Sequence, residues 1–198
     1  MSNLTKDEVE RLLKIEQIST LWFGTFDLFL KGFGRSIEVS IQLCGNSRTL
    51  TDRTIEIVNE VANLTREHYE HILKLMFDDA MRAKEETSYN ERQPTTETGP
   101  LSRLRQFLGL SSRYESVEMS DQNPKHPLFG IKTPADIERI IKWENICIED
   151  EQETVNRFAF LTCYPPWEIE HGAEIAICNG EPVGIGQIEL NPYNYEDP

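Results

Sequence analysis

The stretch Ile37-Glu38-Val39-Ser40-Ile41-Gln42-Leu43 alternates apolar and polar residues without a break. In an extended chain successive side chains point to opposite faces, so this pattern specifies a strand with one buried face and one wet face. Such a strand needs neighbours on both edges and something apolar beneath it. The preceding run Leu21-Trp22-Phe23-Gly24-Thr25-Phe26-Asp27-Leu28-Phe29-Leu30 is dense in aromatic residues and also reads as a strand. Between the two lies Lys31-Gly32-Phe33-Gly34-Arg35-Ser36, whose two glycines mark a turn. The two strands and the turn form a hairpin.

A second group of strands closes the chain. Trp143 to Ile148, Phe158 to Cys163, Ala173 to Cys178 and Val183 to Ile188 are short apolar runs separated by turn signals. Asn179-Gly180 between two of them is a strong hairpin dipeptide, because both residues accept positive φ. This third of the chain therefore reads as an antiparallel meander. The tail, Asn191 to Pro198, is polar and aromatic and is assigned to the surface.

Helical signals lie between the two strand groups. Leu4, Val9, Leu12, Leu13 and Ile15 place an imperfect helical stripe over residues 4–15. Thr51-Asp52 caps a helix to about Ala62 carrying Ile55, Val58, Val61 and Ala62. Asn63 is a candidate cap for the next helix, whose stripe is Tyr69, Ile72, Leu73, Met76, Phe77 and Ala80. Thr133-Pro134-Ala135-Asp136 opens a further helix to about Ile141, with proline at the first helical position. Residues 87–129 lose the apolar periodicity and carry Pro94 and Pro100, which predicts an irregular or disordered insertion. One basic island, Leu101 to Leu108 with Arg103 and Arg105, interrupts it.

Segregated strands and helices give an α+β class rather than α/β. The expected architecture is one domain over residues 1–198. An antiparallel sheet of about six strands, the N-terminal hairpin plus the C-terminal meander, packs on one or two long helices.

Composition bounds what such a domain does. The 34 acidic and 20 basic residues leave a formal net charge of −14. A body this acidic repels phosphate backbones, which argues against nucleic acid as a partner, and it steers basic proteins toward itself. No apolar run reaches the roughly 20 residues of a membrane span. The amphipathic N-terminus MSNLTKDEVERLLK lacks a signal-peptide pattern, so a cytoplasmic location is expected. The Asn3-Leu4-Thr5 and Asn63-Leu64-Thr65 sequons are then coincidental.

Catalytic signatures are sparse. The chain has no phosphate-cradling G-x-x-x-x-G-K-[ST], no G-x-S-x-G and no H-E-x-x-H, and Gly184-Ile185-Gly186 lacks the third glycine of a dinucleotide loop. Cys44, Cys147, Cys163 and Cys178 form no C-x-x-C pair and sit in strand-like stretches, where cysteine acts as a small buried hydrophobe. Glu67, His68 and His71 share one helical side and offer two imidazoles and a carboxylate to a metal, against the simpler reading of an exposed helix face. Glu144, Glu149, Asp150, Glu151 and Glu153 crowd one turn but lack the ligand alternation and mid-loop glycine of a calcium loop. No metal and no cofactor are expected.

The most distinctive segment is Cys163-Tyr164-Pro165-Pro166-Trp167-Glu168-Ile169-Glu170-His171-Gly172-Ala173-Glu174, followed by Val183-Gly184-Ile185-Gly186. It resembles a group of uncharacterised, mostly bacterial domains of unknown function. Their C-terminal hairpin carries C-x-W-D-x-E-H-G-x-G and then a strand ending V-x-x-G. Trp22-Phe23-Gly24-Thr25 and Thr133-Pro134-Ala135-Asp136-Ile137 extend the resemblance. Glu168 stands where that pattern has Asp, and Glu174 where it has Gly. The resemblance implies a small accessory protein, some members being similar to toxin-immunity proteins.

Two readings of the turn stay open. In one, Trp167 packs under the sheet, His171 ties the turn by hydrogen bonds, and Gly172 supplies a conformation other residues resist. In the other, Glu168, Glu170 and His171 are acid–base groups of a small enzyme. The favoured function is a non-catalytic, acidic protein-binding domain, an immunity-like inhibitor of a basic toxin or effector. A regulatory or structural module without a toxin partner is a further alternative.

Overall fold

The computed structural model describes residues 3–45, 49–92, 128–150, 154–168 and 171–186, with side chains excepted over 86–92. A short helix α1 (Lys6–Leu12) leads into strands β1 (Lys14–Ile18), β2 (Leu21–Leu30) and β3 (Arg35–Leu43). Helices α2 (Asp52–Ala62) and α3 (Arg66–Arg92) follow, then one helical turn α4 (Pro134–Ile137). Strands β4 (Trp143–Glu149), β5 (Phe158–Cys163), β6 (Ala173–Cys178) and β7 (Glu181–Gly186) complete the set.

All seven strands form one sheet in sequence order. The α+β class holds, and the sheet corrects the expected one in two respects. There are seven strands rather than six, and the sheet is mixed, because β3 and β4 run parallel with Val39 opposite Ile146. The parallel pair follows from the connection: α2 and α3 lie between β3 and β4, so the chain crosses the sheet before re-entering it. The C-terminal meander is antiparallel throughout, with the β6–β7 turn at Asn179 (φ 49°) and Gly180 (φ 84°).

The added strand is β1. Lys14-Ile15-Glu16-Gln17-Ile18 carries only one residue that is not exposed, so no apolar alternation announces it. It is an edge strand held by backbone pairing to β2 through the two-residue loop Ser19-Thr20, with Ser19 at φ 60°. Its residues 14 and 15 belong to the stretch read as helix, which stops at Leu12.

The helices pack on one face. Val9, Ile57, Val58, Val61, Tyr69, Ile72, Leu73 and Met76 share a single cluster with the inward residues Phe26, Leu28, Val39, Ile41, Ile146, Leu161 and Ile175. Full burial of each large aliphatic or aromatic side chain contributes roughly 1.5–3 kcal/mol. Phe33, Tyr69 and Trp143 meet at the centre, with ring centroids 4.3, 6.1 and 6.4 Å apart. Gly32 donates its N–H to the Leu64 carbonyl at 3.2 Å, locking the β2–β3 turn onto the α2–α3 turn.

Caps fix the helix starts. Thr5 and Glu8 form a reciprocal capping box on α1, and the Thr5 N–H and hydroxyl hold the Glu8 carboxyl below its ordinary range. Asn63 is the C-cap of α2 rather than the N-cap of α3. Thr65 fills that place: its Oγ1 accepts from His68 N at 3.3 Å, while its own N–H donates to His68 Nδ1 at 3.1 Å. The α3 helix runs through residue 92, beyond the expected start of the insertion, and Leu128 is buried in the core. Residues 93–127, with the basic island, and the tail lie outside the described residues. Helix α4 ends at Ile137, four residues before the expected end, and continues as turns.

Candidate functional site

The turn between β5 and β6 is built by backbone bonds that its prolines permit. Glu168 N–H donates to the Pro165 carbonyl at 3.0 Å, and Gly172 N–H donates to the Glu168 carbonyl at 3.1 Å. Gly172 sits at φ 68°, where a side chain is strained. Ile169 and Glu170 lie outside the described residues.

Trp167 is half-buried and packs against the edge of the core. Its Nε1 donates to Asp79 Oδ2 on α3 at 2.9 Å, and Asp79 is also ion-paired with Arg82 one turn along. His171 Nδ1 lies 2.9 Å from Glu168 Oε1, and the imidazole is 59% exposed. Asp79, Arg82, Trp167, Glu168, Gly172 and Gly186 border a recess of about 250 Å³. A carboxylate on Nδ1 favours the tautomer with its proton there and the lone pair on Nε2. The arrangement therefore presents a polarised imidazole beside a shallow polar hollow.

Asp79 and Arg82 belong to this site and carry no signal of it in the sequence. They occupy the polar flank of the α3 stripe, three residues apart, and nothing local distinguishes them from other charged helix residues.

The other sequence candidates are dispersed. His68 caps α3, which leaves its ring proton on Nε2 facing Glu181 Oε2 at 3.4 Å. His71 is exposed one turn on. Asp150 is buried and faces the start of α2: its Oδ1 accepts from Thr51 N at 2.9 Å and Thr54 Oγ1 at 2.6 Å. Glu144 and Glu149 are exposed, and residues 151–153 lie outside the described residues. Among the described residues, no three His, Cys, Asp or Glu side chains converge on a metal position.

The cysteines divide by depth. Burial pushes the Cys163 thiol up to about 12 and the Cys147 thiol up to about 11. Cys44 is exposed at the end of β3, against the expectation of burial, beside a recess of about 470 Å³ that Trp22 and Glu149 also line.

Residues 105–192 match the family model described as a domain of unknown function, DUF6985. Its described part takes in Leu128 to α4, β4–β7 and, of the β5–β6 turn, Trp167, Glu168, His171 and Gly172, while α1, β1–β3, α2 and α3 precede it. No curated protein and no solved structure matches the chain.

Proposed function

We propose that the chain is a non-catalytic, acidic protein-binding domain that acts in the cytoplasm as an immunity-like inhibitor of a basic toxin or effector. The observation that carries this reading is the charge: 34 acidic against 20 basic residues. A surplus of this size raises the encounter rate with cationic proteins and repels nucleic acid. The motif residues support it in a second way. Trp167 and His171 have protein partners in Asp79 and Glu168, contacts that hold a turn in shape.

The test is co-expression with the product of the neighbouring gene, followed by co-purification at two salt concentrations. A complex that weakens as salt rises supports the proposal. A native-host pull-down that recovers no protein partner overturns it.

A second reading has one observation in its favour. His171 paired with Glu168 beside the recess is a geometry that acid–base chemistry can use, with Glu170 as the further group. His171→Ala separates the two. In a binding domain it lowers stability and leaves binding per folded molecule intact. In an enzyme it abolishes function without moving the melting temperature.

A further inference from the structure

The helices of this fold lie on the inner face of the sheet, and the outer face is predominantly acidic. Strand registers align its residues in rows that cross the strands. One row is Asp27, Glu38, Asn145, Thr162 and Glu174. A parallel row holds Glu16, Phe23, Gln42 and Glu149. Between them runs Lys14, Thr25, Ser40, Cys147 and Phe160. Lys14 is the one cation in these rows among the described residues.

Asp27 and Glu38 are directly opposite each other on an antiparallel pair, and both are exposed. Like charges in that relationship repel. Among the described residues neither carboxylate has a hydrogen bond or an ion pair, and the same holds for Glu16 and Glu149. Nearby, Phe29 is 49% exposed and Phe23 is half-buried. Toward β5 and β6 the same face changes character: Phe158, Thr162, Glu174 and Ala176 are buried. The open part therefore spans β1 to β4, about 14 Å across the strands and about 20 Å along them. A face of that size takes one docked segment, to which aromatic side chains give contact area and charges give steering and register.

We propose that the open outer face of β1–β4 is the docking surface for a basic protein segment, whose Lys or Arg side chains lie between Asp27 and Glu38 and over exposed Phe29 and half-buried Phe23. This rests on the protein-binding reading above and gives it a location. Among the described residues no ion pair compensates the opposed carboxylates, and a cation inserted between them removes the repulsion and gains two charge-assisted hydrogen bonds. Backbone phosphates are excluded by the same charges.

The experiment is an NMR titration of the full chain with a synthetic amphipathic peptide of alternating Lys and Leu, at low and at near-physiological salt. Perturbed amides confined to β1–β4, with affinity falling about tenfold in Asp27→Asn/Glu38→Gln, are expected. The control removes two charges from the helix side, Glu67→Gln/Glu70→Gln, and is expected to change affinity by less than about twofold. The melting temperature of the Asp27→Asn/Glu38→Gln protein should rise, which shows that a loss of binding is not a loss of folding. Equal losses in both variants, or perturbations spread over the helices, overturn the proposal in favour of attraction by net charge. A rise in peptide affinity on Arg103→Gln/Arg105→Gln overturns it in favour of this chain's own basic island as the occupant. A dimer that dissociates in Asp27→Asn/Glu38→Gln assigns the face to a second copy and likewise overturns it. If the native partner binds this variant as tightly as wild type, the location falls and the protein-binding reading stands. If the peptide titrates the face and no native partner exists, that reading falls and the surface stands.

Discussion

Trp167 and Asp79 are 88 residues apart in the chain and 2.9 Å apart in space. Their hydrogen bond fastens the β5–β6 turn to α3. Trp167→Phe keeps most of the apolar contact and removes the donor. It should destabilise by about 1.5–2 kcal/mol, the range for a bond to a charged acceptor with partial exposure. Asp79→Asn should cost less, since its amide oxygen still accepts. A double-mutant cycle of Trp167→Phe and Asp79→Ala, read by denaturant melts, should show coupling of about 1 kcal/mol or more. Additive losses would show that the bond contributes nothing.

Asp150 acts on a helix that starts about a hundred residues earlier. Its carboxylate accepts from Thr51 N and Thr54 Oγ1, and its backbone carbonyl accepts from both threonine hydroxyls. Asp150→Ala takes the acceptor from the Thr51 N–H, removes the shorter of the two bonds made by the buried Thr54 hydroxyl, and deletes a negative charge at the α2 N-terminus. The expected loss is about 2–3 kcal/mol. Thermal melts check it, and a variant within about 0.5 kcal/mol of wild type would contradict this account.

Gly32 is constrained by space. A Cβ there would lie 2.3 Å from the Thr65 carbonyl oxygen and 2.4 Å from its carbon. Backbone cannot rotate away as a side chain can. Gly32→Ala should therefore open the contact between the β2–β3 and α2–α3 turns and cost about 1–3 kcal/mol, as overpacking does. Gly34→Ala is the useful comparison, because its Cβ meets nothing within 4 Å and any cost there comes from φ 66° alone. Equal melting temperatures for the two variants would count against the steric account.

The thiols set the alkaline limit. Cys163 is wholly buried, and burial holds its proton on up to about 12. An unfolded cysteine ionises near 8.5, so above that pH the unfolded state holds fewer protons than the native one. Stability contributed by the neutral thiol is complete below about pH 8.5 and is lost as pH rises from there toward 12. Melts between pH 7 and 11 should show a decline that is shallower in Cys163→Ala. In the native state Cys163 should resist a thiol reagent at pH 8 that modifies exposed Cys44.

What the sequence revealed follows from where periodicity is strong. The alternation at Ile37 to Leu43 and the Asn179-Gly180 turn each have a local cause, and both elements appear where the residues place them. Strand β1 has no such cause, because an edge strand with one wet face and little beneath it needs only backbone pairing. The parallel β3–β4 pair is equally silent: side-chain alternation is the same in parallel and antiparallel strands, so Val39 and Ile146 carry no mark of direction. At the site, Trp167, His171 and Gly172 stand out as residue types at a turn. Asp79 and Arg82 do not, since their role comes from the angle at which α3 crosses the turn.

That parallel pair has a kinetic meaning. Val39 cannot meet Ile146 until more than a hundred intervening residues have been made. During synthesis the first three strands emerge with β3 as an open edge, and the apolar row Ile37, Val39 and Ile41 waits for its neighbour. Closing so long a loop costs entropy before any contact repays it, and chains rich in such pairings fold slowly. The ribosome-bound half therefore carries an unpaired, adhesive edge, the kind of surface that chaperones meet and that aggregation begins from. Yield in a heterologous host should depend more on the interval between making β3 and making β4 than on the stability of the finished sheet.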